Sequence, residues 1–190
     1  MAEEYLEITP EKLLRKYERG KRDFPSISLP YMVNLEEVDL SGANLRGVHL
    51  GGANLRGSDL RGADFAEATF IAANLRGSDL RGAVFHKADL REVDFSGAIL
   101  SGTDFRGASL IKADFAGANL YQADLAGANL EEADFRETCL VNVIGLDQAR
   151  NIEHATFTDA IIPENLRKIL GAARREGCAL HYGAGSELLN

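Results

Sequence analysis

The chain contains no tryptophan, two cysteines, two methionines and four prolines among 190 residues. Each shortage excludes something. Cys139 and Cys178 stand alone in unlike contexts without ligand spacing, so the reading is a free surface thiol and a free tail thiol, not a disulfide or zinc framework. No apolar run approaches bilayer-spanning length, and Met1 to Pro10 is acidic without an apolar signal segment, which predicts a cytoplasmic chain with no membrane attachment. Four histidines, His49, His86, His154 and His181, are scattered, and neither His49 nor His86 has a Cys, Asp or second His at metal-ligand spacing. No serine, histidine and acid fall into an arrangement that would build one catalytic site, and Gly-x-x-x-x-Gly matches such as Gly57 to Gly62 are by-products of a repeat. The expectation is a protein that is not an enzyme and holds no cofactor or metal. With 21 Lys and Arg against 29 Asp and Glu, a net charge of -8, direct nucleic-acid binding is not expected either.

What the chain does contain is a period of five. Every fifth residue from Leu35 to Leu140 is Leu or Phe. Five residues advance a helix by about 500°, which leaves each apolar residue roughly 140° from the last. In a flat strand the odd spacing would throw alternate ones to opposite faces. A chain that turns after each pentamer and climbs as a closed coil brings all of them to one interior. Two places before each centre the residue is Ala, Ser, Thr or Val, a second and narrower inward position; the place just before is mostly Asp or Asn.

The resulting motif, A-(D/N)-(L/F)-x-x, is written out in Ala43-Asn44-Leu45-Arg46-Gly47 and Ala113-Asp114-Phe115-Ala116-Gly117. It resembles the pentapeptide-repeat family. That resemblance implies an all-β fold, a right-handed quadrilateral β-helix with four pentapeptides per coil, and a bacterial cytoplasmic protein without a cofactor. Two features of this chain support a 20-residue coil independently. The string ANLRGSDLRGA occupies 53–63 and again 73–83. Sorted modulo 20, Phe65, Phe85 and Phe105 fall in one column and Phe95, Phe115 and Phe135 in the opposite one, beside a column with Leu40, Leu60 and Leu80. These side chains are the expected structural core.

The organisation expected is a helical cap over 1–23, a solenoid over 24–162 and a C-terminal helix and tail over 163–190. Strict repeats fill 33–142, a short loop or turn bulges from the coil at 145–151, and final repeats resume through Ile152, Phe157 and Ile162. Thr9 and Pro10 are set to open the first helix, Leu13, Leu14 and Tyr17 to give it an apolar face, and Gly20 to stop it. Short helices at both ends would cover the open coils, and the C-terminal tail offers a homodimer contact, so monomer and homodimer both stand.

After the repeat is subtracted, one surface feature remains: Arg56 and Arg76 in one column, Arg61 and Arg81 in the next, neighbours in a column about 5 Å apart. This block is either a salt-bridged ladder, helped by Asp39, Asp59 and Asp79, or a contact for an acidic protein or anionic ligand. The function expected is a β-solenoid that presents ordered columns to a protein partner. One alternative is a DNA-mimicking inhibitor or modulator of a type II topoisomerase, as some family members are, drawing on Asp94, Asp114 and Asp134 on one face and Asp104 and Asp124 on the opposite one. A structural spacer or assembly module is the other.

Overall fold

Residues 6–162 are described by the structure, a computed structural model. Within the repeats, the residue just before each Leu or Phe pairs in parallel with its equivalent 20 residues on, from Asn34 with Asn54 through Asp124 with Ile144. Four pairings per turn make four faces. The repeat explains why each pairing is a single bridge and not a strand: the chain straightens only around the centre before it must bend again. At Leu60 the amide donates to Asp79 O at 2.8 Å, Gly62 donates to Arg81 O at 2.9 Å, and Ala63 closes the corner onto Leu60 O at 3.1 Å. Nearly every backbone donor is thereby spent either on the next coil or on the corner.

Each corner holds the second residue after the centre at positive φ, as in Gly62 at 63°, yet Glu92 and Glu132 take the same conformation at 59° and 56°. The Asp or Asn before the centre steadies that bend by accepting the amide two residues on, as Asp39 Oδ1 does from Ser41 N at 2.9 Å. Small inward positions that carry hydroxyls are satisfied as well. Buried Ser58, Thr103 and Thr138 each donate to a carbonyl of the preceding coil at 2.9 Å.

Leu40, Leu60, Leu80 and the rings of Phe65, Phe85, Phe95, Phe105, Phe115 and Phe135 are buried. The phenylalanines form two stacks, Phe65–Phe85–Phe105 with centroids 5.1 and 5.5 Å apart, and Phe95–Phe115–Phe135 at 5.1 and 4.8 Å. Across the interior the stacks meet edge to face, Phe85 with Phe95 at 6.1 Å and Phe95 with Phe105 at 5.8 Å. Both geometries are those the aromatic quadrupole favours. Phe85 touches four other rings and is the hub.

At the N-terminal end, strand β1 (Leu6–Glu7) pairs in parallel with β2 (Ile27–Ser28) and extends one face of the coil. Between them helix α1 (Pro10–Glu18) lies over the end of the core. Thr9 caps it by accepting from Lys12 N at 3.3 Å, Leu13 and Tyr17 are buried beneath it, and Gly20 leaves it at φ 89°. Tyr17 Oη donates to Ser41 O at 2.8 Å, and the Arg22 guanidinium stacks 3.8 Å from the Tyr17 centroid. The insertion at Pro30-Tyr31 is one residue long, since Ser28 pairs with His49 but Asn34 with Asn54.

The break after the strict run takes the second of its two expected forms, a turn: Leu146–Gln148 is a 3-10 turn, a second one, Ile152–His154, follows it, and Leu146 is fully buried. Gly145 takes the place of a central Leu at φ 67°; a Cβ there would lie 2.6 Å from Ala126 Cα, so only glycine fits. Ile152 belongs to the second turn and is only partly buried, and the period resumes at Phe157, whose ring stacks on Phe135 at 5.1 Å. Cys139 also departs from expectation. It is buried and disulfide-bonded, not a free surface thiol. Cys178, His181 and the expected C-terminal helix and tail lie outside the described residues.

Candidate interaction surface

Arg56, Arg61, Arg76 and Arg81 lie on two neighbouring columns of the rod, and the structure divides them by what precedes each. Arg61 and Arg81 follow Asp-Leu. Arg61 forks onto Asp59 with Nε at 2.8 Å and Nη2 at 2.5 Å, and Arg81 onto Asp79 at 2.9 and 2.6 Å. A weaker contact of 3.8 Å from Arg61 to Asp79 links the two coils. The hydrogen bonds from Arg61 hold the Asp59 carboxyl below the usual carboxylate range, against the opposing push of burial, and raise the already high pKa of the guanidinium. These two arginines are neutralised in place.

Arg56 and Arg76 follow Asn-Leu. An amide is neutral and offers one oxygen, which accepts the corner amide, Arg56 N to Asn54 Oδ1 at 3.3 Å and Arg76 N to Asn74 Oδ1 at 3.0 Å; where the carboxylate has its second acceptor the amide has an NH2 donor, so no two-armed fork can form. The side chain must look elsewhere. Arg56 reaches back one coil to Glu36 at 2.7 Å, whereas Arg76 has no side-chain partner among the described residues. Arg46, the third arginine after Asn-Leu, pairs with Glu67 on the next coil.

The same rule holds along the rod. Arg91, Arg106 and Arg136 follow Asp-Leu or Asp-Phe and fork onto Asp89, Asp104 and Asp134 at 2.6 to 2.7 Å. Burial pushes the Asp104 and Asp134 carboxyls up, but the hydrogen bonds from their arginines outweigh it and leave both lowered. Sorting by column missed this distinction. The signal that finds it is the tripeptide D-(L/F)-R against N-L-R.

His49 and His86 face outward from different columns and His154 is exposed; among the described residues no three of His, Cys, Asp and Glu are grouped to hold a metal. His86 Nδ1 is buried beside the coil without a partner. Open depressions among the described residues include one of about 470 Å³ beside β1 and β2, lined by Glu7, Ile8 and Ser28, and one of about 510 Å³ that begins at Arg76. Among the described residues no helix is long and apolar enough to cross a membrane.

The family model for pentapeptide repeats matches eight copies over residues 34–70, 70–107, 88–125 and 108–144, more than half the chain. This chain belongs to the pentapeptide repeat family. Among solved structures, a pentapeptide repeat protein of the Arabidopsis thaliana thylakoid lumen is 26% identical, with 71% of this chain and 75% of that one covered and a TM-score of 0.50. One from the cyanobacterium Cyanothece 51142 is 24% identical over 74% of this chain and 98% of its own, with a TM-score of 0.51. Another, from Nostoc PCC 7120, is 35% identical over 62% and 84%, with a TM-score of 0.46. No curated protein matches significantly in sequence. The family and the first two of these structures agree on a solenoid of stacked pentapeptides; a fold of this kind assigns no activity by itself.

Proposed function

We propose that this pentapeptide-repeat solenoid is a non-enzymatic interaction module that holds a protein partner along the edge carrying Arg56 and Arg76. One observation carries the reading: Arg76 projects a guanidinium that is unpaired among the described residues, whereas the neighbouring Arg56, Arg61 and Arg81 are ion-paired. A free guanidinium on a preorganised edge loses little entropy on meeting a carboxylate, and its planar fork gives that contact direction. The filled interior supports the same reading, because stacked rings leave the chemistry to the outside. The forks weigh against DNA mimicry, since five aspartates of the rod are already neutralised by arginine.

Cross-linking capture from native lysate tests this with paired variants of the full chain. Arg56→Glu/Arg76→Glu should abolish capture of a specific protein, and Arg61→Glu/Arg81→Glu should leave most of it. Equal loss in both pairs, or none in either, contradicts the reading. Inhibition in a DNA gyrase supercoiling assay at micromolar protein would replace it with the mimic.

A further inference from the structure

Beyond Arg76 the same edge sinks into the open depression of about 510 Å³. Arg76 stands on one rim and Arg136 on the other, with Asp94 and Asp114 between them on consecutive coils. Here the residue two places after each Asp is Ser96 or Ala116, and these short side chains create the hollow. Asp94 Oδ1 accepts from Ser96 N at 2.8 Å and from Ser96 Oγ at 2.6 Å, and Asp114 Oδ1 accepts from Ala116 N at 2.8 Å. Neither Oδ2 receives a hydrogen bond or ion pair from the described residues.

The molecule itself displays what fills this place. At Asp59, Asp79, Asp89, Asp104 and Asp134 the equivalent space beside the carboxylate holds a guanidinium, forked onto it from two residues on. The residue two places on is short after Asp94 and Asp114, as it also is after Asp64 and Asp124, but at Asp94 and Asp114 the open space continues the edge of Arg76, whose guanidinium has no partner among the described residues. We propose that the depression between Arg76 and Arg136 receives an arginine side chain of a partner protein, seated on Asp94 and Asp114, while Arg76 takes a carboxylate of the same segment. This rests on the interaction reading above and names the partner's chemistry.

Arginine fits better than its competitors for stated reasons. A divalent cation would find two carboxylates and no third ligand grouped with them among the described residues. Lysine offers a single point charge, whereas a guanidinium has several donors to share between the Oδ2 atoms of two carboxylates on consecutive coils. A free arginine molecule would gain one contact in an open hollow, whereas a peptide gains the second at Arg76. Coils spaced by about 5 Å put Arg76 within one or two coils of the two carboxylates, which suits side chains two residues apart on an extended segment, about 7 Å.

The probe is acetyl-Glu-Ala-Arg-amide, titrated into the full chain with carboxylate NMR of the aspartates as readout. It should shift the Asp94 and Asp114 signals, and its citrulline counterpart, which keeps the shape and loses the charge, should bind about tenfold more weakly. Ser96→Arg/Ala116→Arg rebuilds Asp-Phe-Arg in both coils and should close the hollow, removing the shifts at unchanged thermal midpoint. Asp94→Asn/Asp114→Asn, which keeps the corner acceptor as Asn54 and Asn74 do, should remove binding too, read by isothermal titration calorimetry because the reporting carboxylates are gone. Equal binding of arginine and citrulline peptides, or parent-strength binding by both double variants, overturns the proposal. Should that occur while capture through Arg56 and Arg76 persists, the interaction reading stands and only its assignment of an arginine fails.

Discussion

Two neighbouring corners of one coil, built from Ala-Asn-Leu-Arg-Gly and Ser-Asp-Leu-Arg-Gly, share backbone, burial and period, yet they present opposite surfaces. After Asp59 or Asp79 the arginine folds back and is cancelled; after Asn54 or Asn74 it is released to a neighbouring coil or to solvent. Replacing a carboxylate oxygen by an amide nitrogen makes the difference, because it removes the charge and the Oδ2 acceptor that takes the second arm of the fork, while Oδ1 serves the corner amide in both cases. Counting charges per face therefore misjudges such a rod. Its available charge is set locally, by the residue two places before each arginine.

The comparison is broken most severely from beneath. The leucines beneath both corners belong to one core with Phe85, and Phe85→Ala should cost about 3–5 kcal/mol in urea unfolding by removing the hub of the two stacks. Both edges should then be lost in one transition; separate transitions would mean that the corners do not share a core. Next in size is the exchange of the corners' own determinants. Asn74→Asp should fork Arg76 in place and weaken partner capture about tenfold, while Asp79→Asn should release Arg81 at little cost in stability. Unchanged capture by Asn74→Asp would contradict the rule that divides the block.

A smaller effect comes from pH. Asp59, hydrogen-bonded by Arg61, titrates below its ordinary value in the folded chain. A depressed folded pKa means that the stabilisation is present above the unfolded value of about 3.9 and is lost as pH falls from there through the folded value. Since the pair is exposed, Asp59→Asn should cost below about 1 kcal/mol at pH 7 and nothing in strong acid, compared by urea midpoints. Asn54→Ala should show no such pH dependence. If the Asp59→Asn difference survived in acid, the fork would not be its source.

Much of the fold was legible because a five-residue apolar period has few geometric solutions, and the duplicated eleven residues fix the coil at 20. Helix α1 follows from strictly local signals at Thr9, Pro10 and Gly20. The break was read less well. That Leu146 replaces the central residue depends on Gly145 passing within contact of Ala126, a cross-coil distance that no local pattern encodes. Burial of Cys139 was not legible either, because it stands in the place before a centre, whose other occupants along the rod are partly exposed or exposed. At the surface, the positions of the four arginines were legible and their states were not, since column sorting compares residues 20 apart while the deciding neighbour is two apart.

Selective modification of arginine by phenylglyoxal, followed residue by residue by mass spectrometry, tests that central claim without any partner. The account predicts that Arg76 reacts several-fold faster than Arg61 and Arg81, and that Asn74→Asp slows it to their rate. Equal rates for the three arginines in the parent chain would contradict it.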